Sequence, residues 1–133
     1  MYRKSYKGLV IWVLAFLAAL LVVCFLPYQS PTVPARLMTH LCTFGIASLS
    51  WMIWRTEQVY WYNGVSFEEA EKAGSERRKA YALRHFRLFS GYAIIALLVS
   101  MAAYRLRLPW WVDFTVIMIG LIVAAFRTLA YKL

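Results

Sequence analysis

Four long apolar blocks, Gly8 to Pro27, Leu37 to Trp54, Leu88 to Tyr104 and Trp110 to Leu129, constrain this chain more than any other feature. Each approaches the roughly 20 residues that cross a bilayer's hydrocarbon core as a helix. The chain is 133 residues long and 62% apolar, above the usual share for soluble domains, so the excess must face something other than water. These blocks predict an all-α membrane protein: a single transmembrane domain, 1–133, folded as a four-span helical bundle. Its spans are expected at about 8–27, 37–54, 88–104 and 110–129, as two hairpins joined by the connection 55–87.

A formal charge of +9 would point to nucleic acid in a soluble protein, but its placement points to topology. Arg3, Lys4 and Lys7 precede the first block. Arg55, Lys72, Arg77, Arg78, Lys79, Arg84 and Arg87 lie between the second and third, and Arg127 and Lys132 close the fourth. Only Arg36, Arg105 and Arg107 fall on the other side, a division of twelve against three. Lys and Arg are enriched in cytoplasmic loops, so both termini and the 55–87 connection are expected in the cytoplasm of a plasma membrane, of the bacterial inner-membrane type. The first block is too long for a signal-peptide h-region and prolines crowd the site where cleavage would fall, so it reads as a retained anchor.

The outer connections are short. Tyr28 to Arg36 carries Pro31 and Pro34 and is expected to be non-helical, and Arg105 to Pro109 turns almost at once. The 55–87 connection holds five of the six acidic residues. After the turn signal Asn63-Gly64, Ser66 and Glu69 fit a capping box, which predicts a short helix from Phe67 to about Ala73. Gly74-Ser75 interrupts it, and Glu76 opens a second helix running into the third span. Tyr81, His85, Leu88 and Phe89 recur at helical spacing along it, making an amphipathic, interfacial helix.

Beside that stripe Arg77, Arg78, Lys79, Arg84 and Arg87 form a basic cluster at the membrane surface. Its expected role is attraction to anionic lipids or to a membrane partner; the plainer reading is the ordinary positive-inside signal. Asp113 is the sole acidic residue within a span. Because ionisable groups in membranes are costly, Asp113 and His40 are candidates for an ion or proton site, against the plainer reading that Asp113 pairs with Arg105 or Arg107. Arg127 is expected to snorkel to the headgroups or to meet Glu57.

Cys24 and Cys42 lie at matching depths and are candidates for a disulfide; otherwise they are small apolar packing residues. His40 and His85 are expected near opposite ends of the bundle, which argues against a shared metal or haem, and no cofactor is expected. Serine candidates lack a histidine and carboxylate at matching depth, so no enzyme is expected. Each span carries a small-xxx-small pair, Ala15 and Ala19, Thr43 and Ala47, Ala96 and Ser100, Gly120 and Ala124, suited to close helix packing.

Four short spans invite comparison with small multidrug transporters, but the first block lacks the acidic residue those require, and the charge bias is too strong for dual topology. The favoured reading is a small noncatalytic accessory or scaffold subunit that engages lipid or a membrane partner. The alternative is a homo-oligomeric transporter or channel, its pathway drawn from Thr39, His40, Thr43, Ser48, Ser50 and Asp113.

Overall fold

The structure, a computed structural model, describes residues 2–62 and 64–133. It is all-helical: α1 Lys7–Phe25, α2 Thr32–Thr56, a 3-10 turn Val59–Trp61, α3 Phe67–Arg105 and α4 Trp110–Thr128. All four α-helices are long and apolar enough to cross a membrane.

Local chemistry explains most boundaries. The Ser66 hydroxyl accepts from the Glu69 amide at 3.1 Å while the Glu69 carboxylate accepts from the Ser66 amide at 2.9 Å, the reciprocal cap that starts α3. Gly74 breaks that helix, with φ 78° and ψ 164°, a conformation glycine reaches without a Cβ clash. Of the Asn63-Gly64 turn, Asn63 lies outside the described residues; Gly64 has φ 92°.

The segment Thr32 to Arg36 departs from expectation, since it is helical rather than an extended loop. Pro34 does not prevent this: in the first turn of a helix the backbone amide has no intrahelical partner to lose. The consequence is that Arg36 sits on α2, facing the bundle.

The most extensive interface joins α2 to α3; α4 packs against both, and α1 chiefly against α2. One buried cluster gathers Ile53, Val59, Tyr60, Ala70, Tyr81 and Ala82 at the end where the two termini meet the connection. A second joins Ala47, Phe89, Ala93 and Ala124 across three helices, where alanines admit close approach. Glycine has a steric role at Gly45, where a Cβ would stand 2.5 Å from the Phe16 ring of α1.

Helix α1 is peripheral and buries no residue. Beyond the ring seated on Gly45, the Trp12 indole donates to the Ser48 hydroxyl at 2.9 Å. Thr43, Ala47, Ala96, Ser100 and Ala124 of the small-residue pairs are buried, whereas Ala15 is exposed. Both cysteines are free thiols, Cys24 exposed and Cys42 half-buried, so the candidate disulfide is not formed. Gly8 seats the start of α1 against the Trp61 ring, where a Cβ would stand 3.0 Å away, whereas Cys24 at its far end is uncovered.

Candidate functional site

Polar side chains gather at the two ends of the bundle. At the end holding the short α3–α4 turn, Asp113 in the first turn of α4 accepts from Arg36 Nε at 3.1 Å and Nη2 at 3.4 Å. The Ser100 hydroxyl donates to the same carboxylate at 2.8 Å. Arg36 Nη2 also donates to the Leu108 carbonyl at 3.1 Å, and its guanidinium lies 5.6 Å from the Tyr104 ring centre. The Asp113 side chain is only 2% exposed and that of Arg36 16%.

The partner of Asp113 is therefore Arg36, not Arg105 or Arg107, both of which are exposed. Three helices meet in this clamp, Arg36 from α2, Ser100 from α3 and Asp113 from α4, so it ties them together at this end. Half-buried His40 lies one turn along α2 from Arg36 and lines a 220 Å³ groove with Arg36, Ser100 and Tyr104. Its Nδ1 is buried without a hydrogen-bond partner.

At the other end α2 stops at Glu57, whose φ of 58° is left-handed, a conformation usually left to glycine or asparagine. The side chain shows what holds it there. Glu57 Oε1 accepts from the Ser75 hydroxyl at 2.8 Å and lies 3.4 Å from Lys79 Nζ; Oε2 accepts from Arg78 Nε at 3.2 Å and Nη2 at 3.0 Å. Arg78 Nη1 donates to the Ala70 carbonyl at 2.9 Å, and its guanidinium stands 4.0 Å from the Tyr2 ring centre. The Tyr2 hydroxyl in turn donates to the Glu57 carbonyl at 2.7 Å. Burial pushes the Tyr2 phenol up to about 12 against the opposing Arg78 charge, so it stays a neutral donor.

Arg78 thus belongs to the interior, at 8% exposure, which corrects its assignment to the lipid-facing cluster. Arg77, Lys79, Arg84 and Arg87 remain exposed. Glu57 meets Arg78 and Lys79 rather than Arg127, because the helix after Gly74 carries those two residues past the end of α2. Beside them His85, 3% exposed, stacks on Tyr62 with ring centres 4.1 Å apart and meets Tyr81 and Tyr131 at 4.5 and 5.1 Å. The Tyr81 carbonyl accepts from His85 Nδ1 at 3.0 Å. This aromatic stack binds the connection, α3 and the segment after α4 together.

The two histidines occupy opposite ends, and among the described residues no group of three His, Cys, Asp or Glu side chains is placed to hold a metal ion. Arg36, Ser100, Ser75 and Tyr2 were not singled out by their sequence context as partners in these networks. Arg78 did carry a signal: it precedes buried Tyr81, Ala82 and His85 by three, four and seven residues, the spacing of one helical face.

The Glu57 network has a pH signature. Burial by itself raises the Glu57 pKa, but hydrogen bonds from Ser75, Arg78 and Lys79, with the Arg78 charge, outweigh it and hold the carboxyl below its ordinary 4.5. A carboxylate lowered on folding adds stability that is complete above its unfolded pKa and is lost as the pH falls through the folded one. Unfolding followed from about pH 7 to about pH 3 is expected to show stability lost below pH 4.5, and Glu57→Gln is expected to flatten that limb. An identical limb in the variant would assign the loss to other carboxylates.

Comparison of the chain with known protein families, with curated proteins and with solved structures finds no match.

Proposed function

We propose that this chain is a small noncatalytic integral membrane protein, an accessory or scaffold subunit that engages lipid or a membrane partner. The observation that carries the reading is α1. Its 19 residues bury nothing in the bundle, yet Gly45 and Ser48 give it a specific seat on α2, leaving Val10, Leu14, Leu17 and Leu21 exposed as an apolar face for lipid or another helix. The charged groups support it as well. Asp113 and Glu57 are held by Arg36 and Arg78 in pairs that tie helices together, which is a structural use of those side chains.

In this reading the spans cross a bacterial inner membrane with both termini and the 55–87 connection in the cytoplasm, where Arg77, Lys79, Arg84 and Arg87 meet an anionic leaflet or a partner. Native mass spectrometry after mild extraction from the protein's own membranes tests the proposal. A second, different chain at fixed stoichiometry is the expected result. A clean homo-oligomer whose ion flux in vesicles falls on His40→Ala would overturn it in favour of transport.

A further inference from the structure

We propose that the cleft beside the C-terminal end of α4 binds the phosphate headgroup of an anionic phospholipid, held by Lys72, Arg77 and Lys132. The inference rests on the reading that this end of the bundle lies at an anionic membrane surface, and it assigns that lipid contact to one place. The cleft has a volume of 510 Å³ and lies between α3 and the segment after α4, with those three cations and Tyr81 on its walls. Among the described residues Glu69 is the one carboxylate side chain lining it, and that group is engaged with the Ser66 amide of the helix cap.

The helix break at Gly74 creates the arrangement. On an unbroken helix Lys72 and Arg77, five residues apart, would point about 140° from each other. The turn at Gly74 lets one residue from each side of the break line the same cleft. Neither these two nor Lys132 forms an ion pair among the described residues, whereas the next two positions, Arg78 and Lys79, are both engaged by Glu57. Among the side chains lining the cleft this leaves an excess of two positive charges, three cations against Glu69.

A free anion would satisfy that charge, but the neighbouring surface favours a lipid. Ile119, Ile122, Phe126 and Leu129 are all exposed and follow one another at three- and four-residue spacing, forming an apolar stripe along α4. The stripe ends at Leu129, which itself lines the cleft. Acyl chains laid along it bring the phosphodiester to the level of Lys72, Arg77 and Lys132.

The test uses the full chain in detergent, with native mass spectrometry to count retained phosphatidylglycerol, phosphatidylcholine and inorganic phosphate. One phosphatidylglycerol is expected to be retained in preference to phosphatidylcholine. The K72A/R77A/K132A variant is expected to bind it at least about tenfold more weakly. Ala73→Trp, which fills the cleft without altering its charge, is expected to weaken it as well. A control triple, R3A/K7A/R55A, removes equal charge from the segment before α1, the start of α1 and the end of α2, and is expected to bind normally. Equal loss in the control would overturn the cleft while leaving a diffuse anionic-surface attraction intact. Indifference of the native protein to headgroup charge would overturn that underlying reading too. Displacement of the lipid by millimolar inorganic phosphate would make the cleft a free-anion site and overturn the assignment to lipid.

Discussion

Arg36→Ala is expected to destabilise the folded bundle by about 3 to 5 kcal/mol, the cost of leaving a buried charge without its partner. The asymmetry of the pair makes the prediction specific. Asp113, with its side chain 2% exposed, keeps only the Ser100 hydroxyl once the guanidinium is gone, and one neutral donor cannot replace two charge-assisted bonds. Asp113→Ala is expected to cost less, about 1 to 3 kcal/mol, because Arg36 keeps the Leu108 carbonyl and the Tyr104 ring and has an exposed edge through which it can be solvated. Replacing both residues by leucine is expected to recover most of the loss, since an apolar pair of matching bulk leaves no charge unmet. Reversible unfolding in mixed micelles, followed by tryptophan fluorescence, of the wild type, the two alanine variants and their Ala/Ala double yields the coupling energy, with the leucine pair measured beside them. Additive single and double mutants would mean that the two side chains do not act as a pair.

Arg78→Ala carries the second large effect, about 2 to 4 kcal/mol, for a related reason at the other end. The guanidinium is the common neighbour of Glu57, the Ala70 carbonyl and the Tyr2 ring, so its removal takes two charge-assisted bonds from Glu57 and the cation from the face of Tyr2. Lys79 Nζ still faces Glu57, but its side chain is 58% exposed and it offers a single ammonium where the fork gave two donors to one oxygen. Arg78→Lys is expected to restore only part of the stability, because an ammonium cannot reach Glu57 and Ala70 in the same planar geometry. Arg77→Ala, one residue away on the exposed side, is expected to change stability by less than about 0.5 kcal/mol. Equal effects at 77 and 78 would remove the distinction between a structural arginine and a surface one. The same two variants separate stability from lipid binding, since only Arg77 lines the cleft beside α4.

Much of the fold was legible because it is encoded over short distances. Hydropathy marks four spans, the Ser66-x-x-Glu69 spacing marks the start of α3, and Gly74 marks its break. The reading of Thr32 to Arg36 as an extended loop failed because two prolines outweighed everything else in it, although a proline in the first helical turn sacrifices no hydrogen bond. That error also concealed the partner of Asp113: placed in a loop, Arg36 has no reason to face a carboxylate 77 residues away. Arg78 was hidden differently. Within the run Arg77-Arg78-Lys79 all three residues carry the same charge, and only the position of the buried stripe tells the middle one apart.

The sequence by itself determined the elements: their number, helical character, approximate ends and membrane-compatible length, because helix formation and hydropathy depend on neighbours within a few residues. The tertiary structure decided which charges meet and which face outward. An ion pair across α2 and α4 depends on the rotation of each helix about its axis, and about 100° per residue separates adjacent side chains, so a small change of register turns a side chain from its partner to the outside of the bundle. Rotation is set by packing, here by alanines at the crossing of α2, α3 and α4 and by Gly45 beneath Phe16, contacts that no local pattern announces.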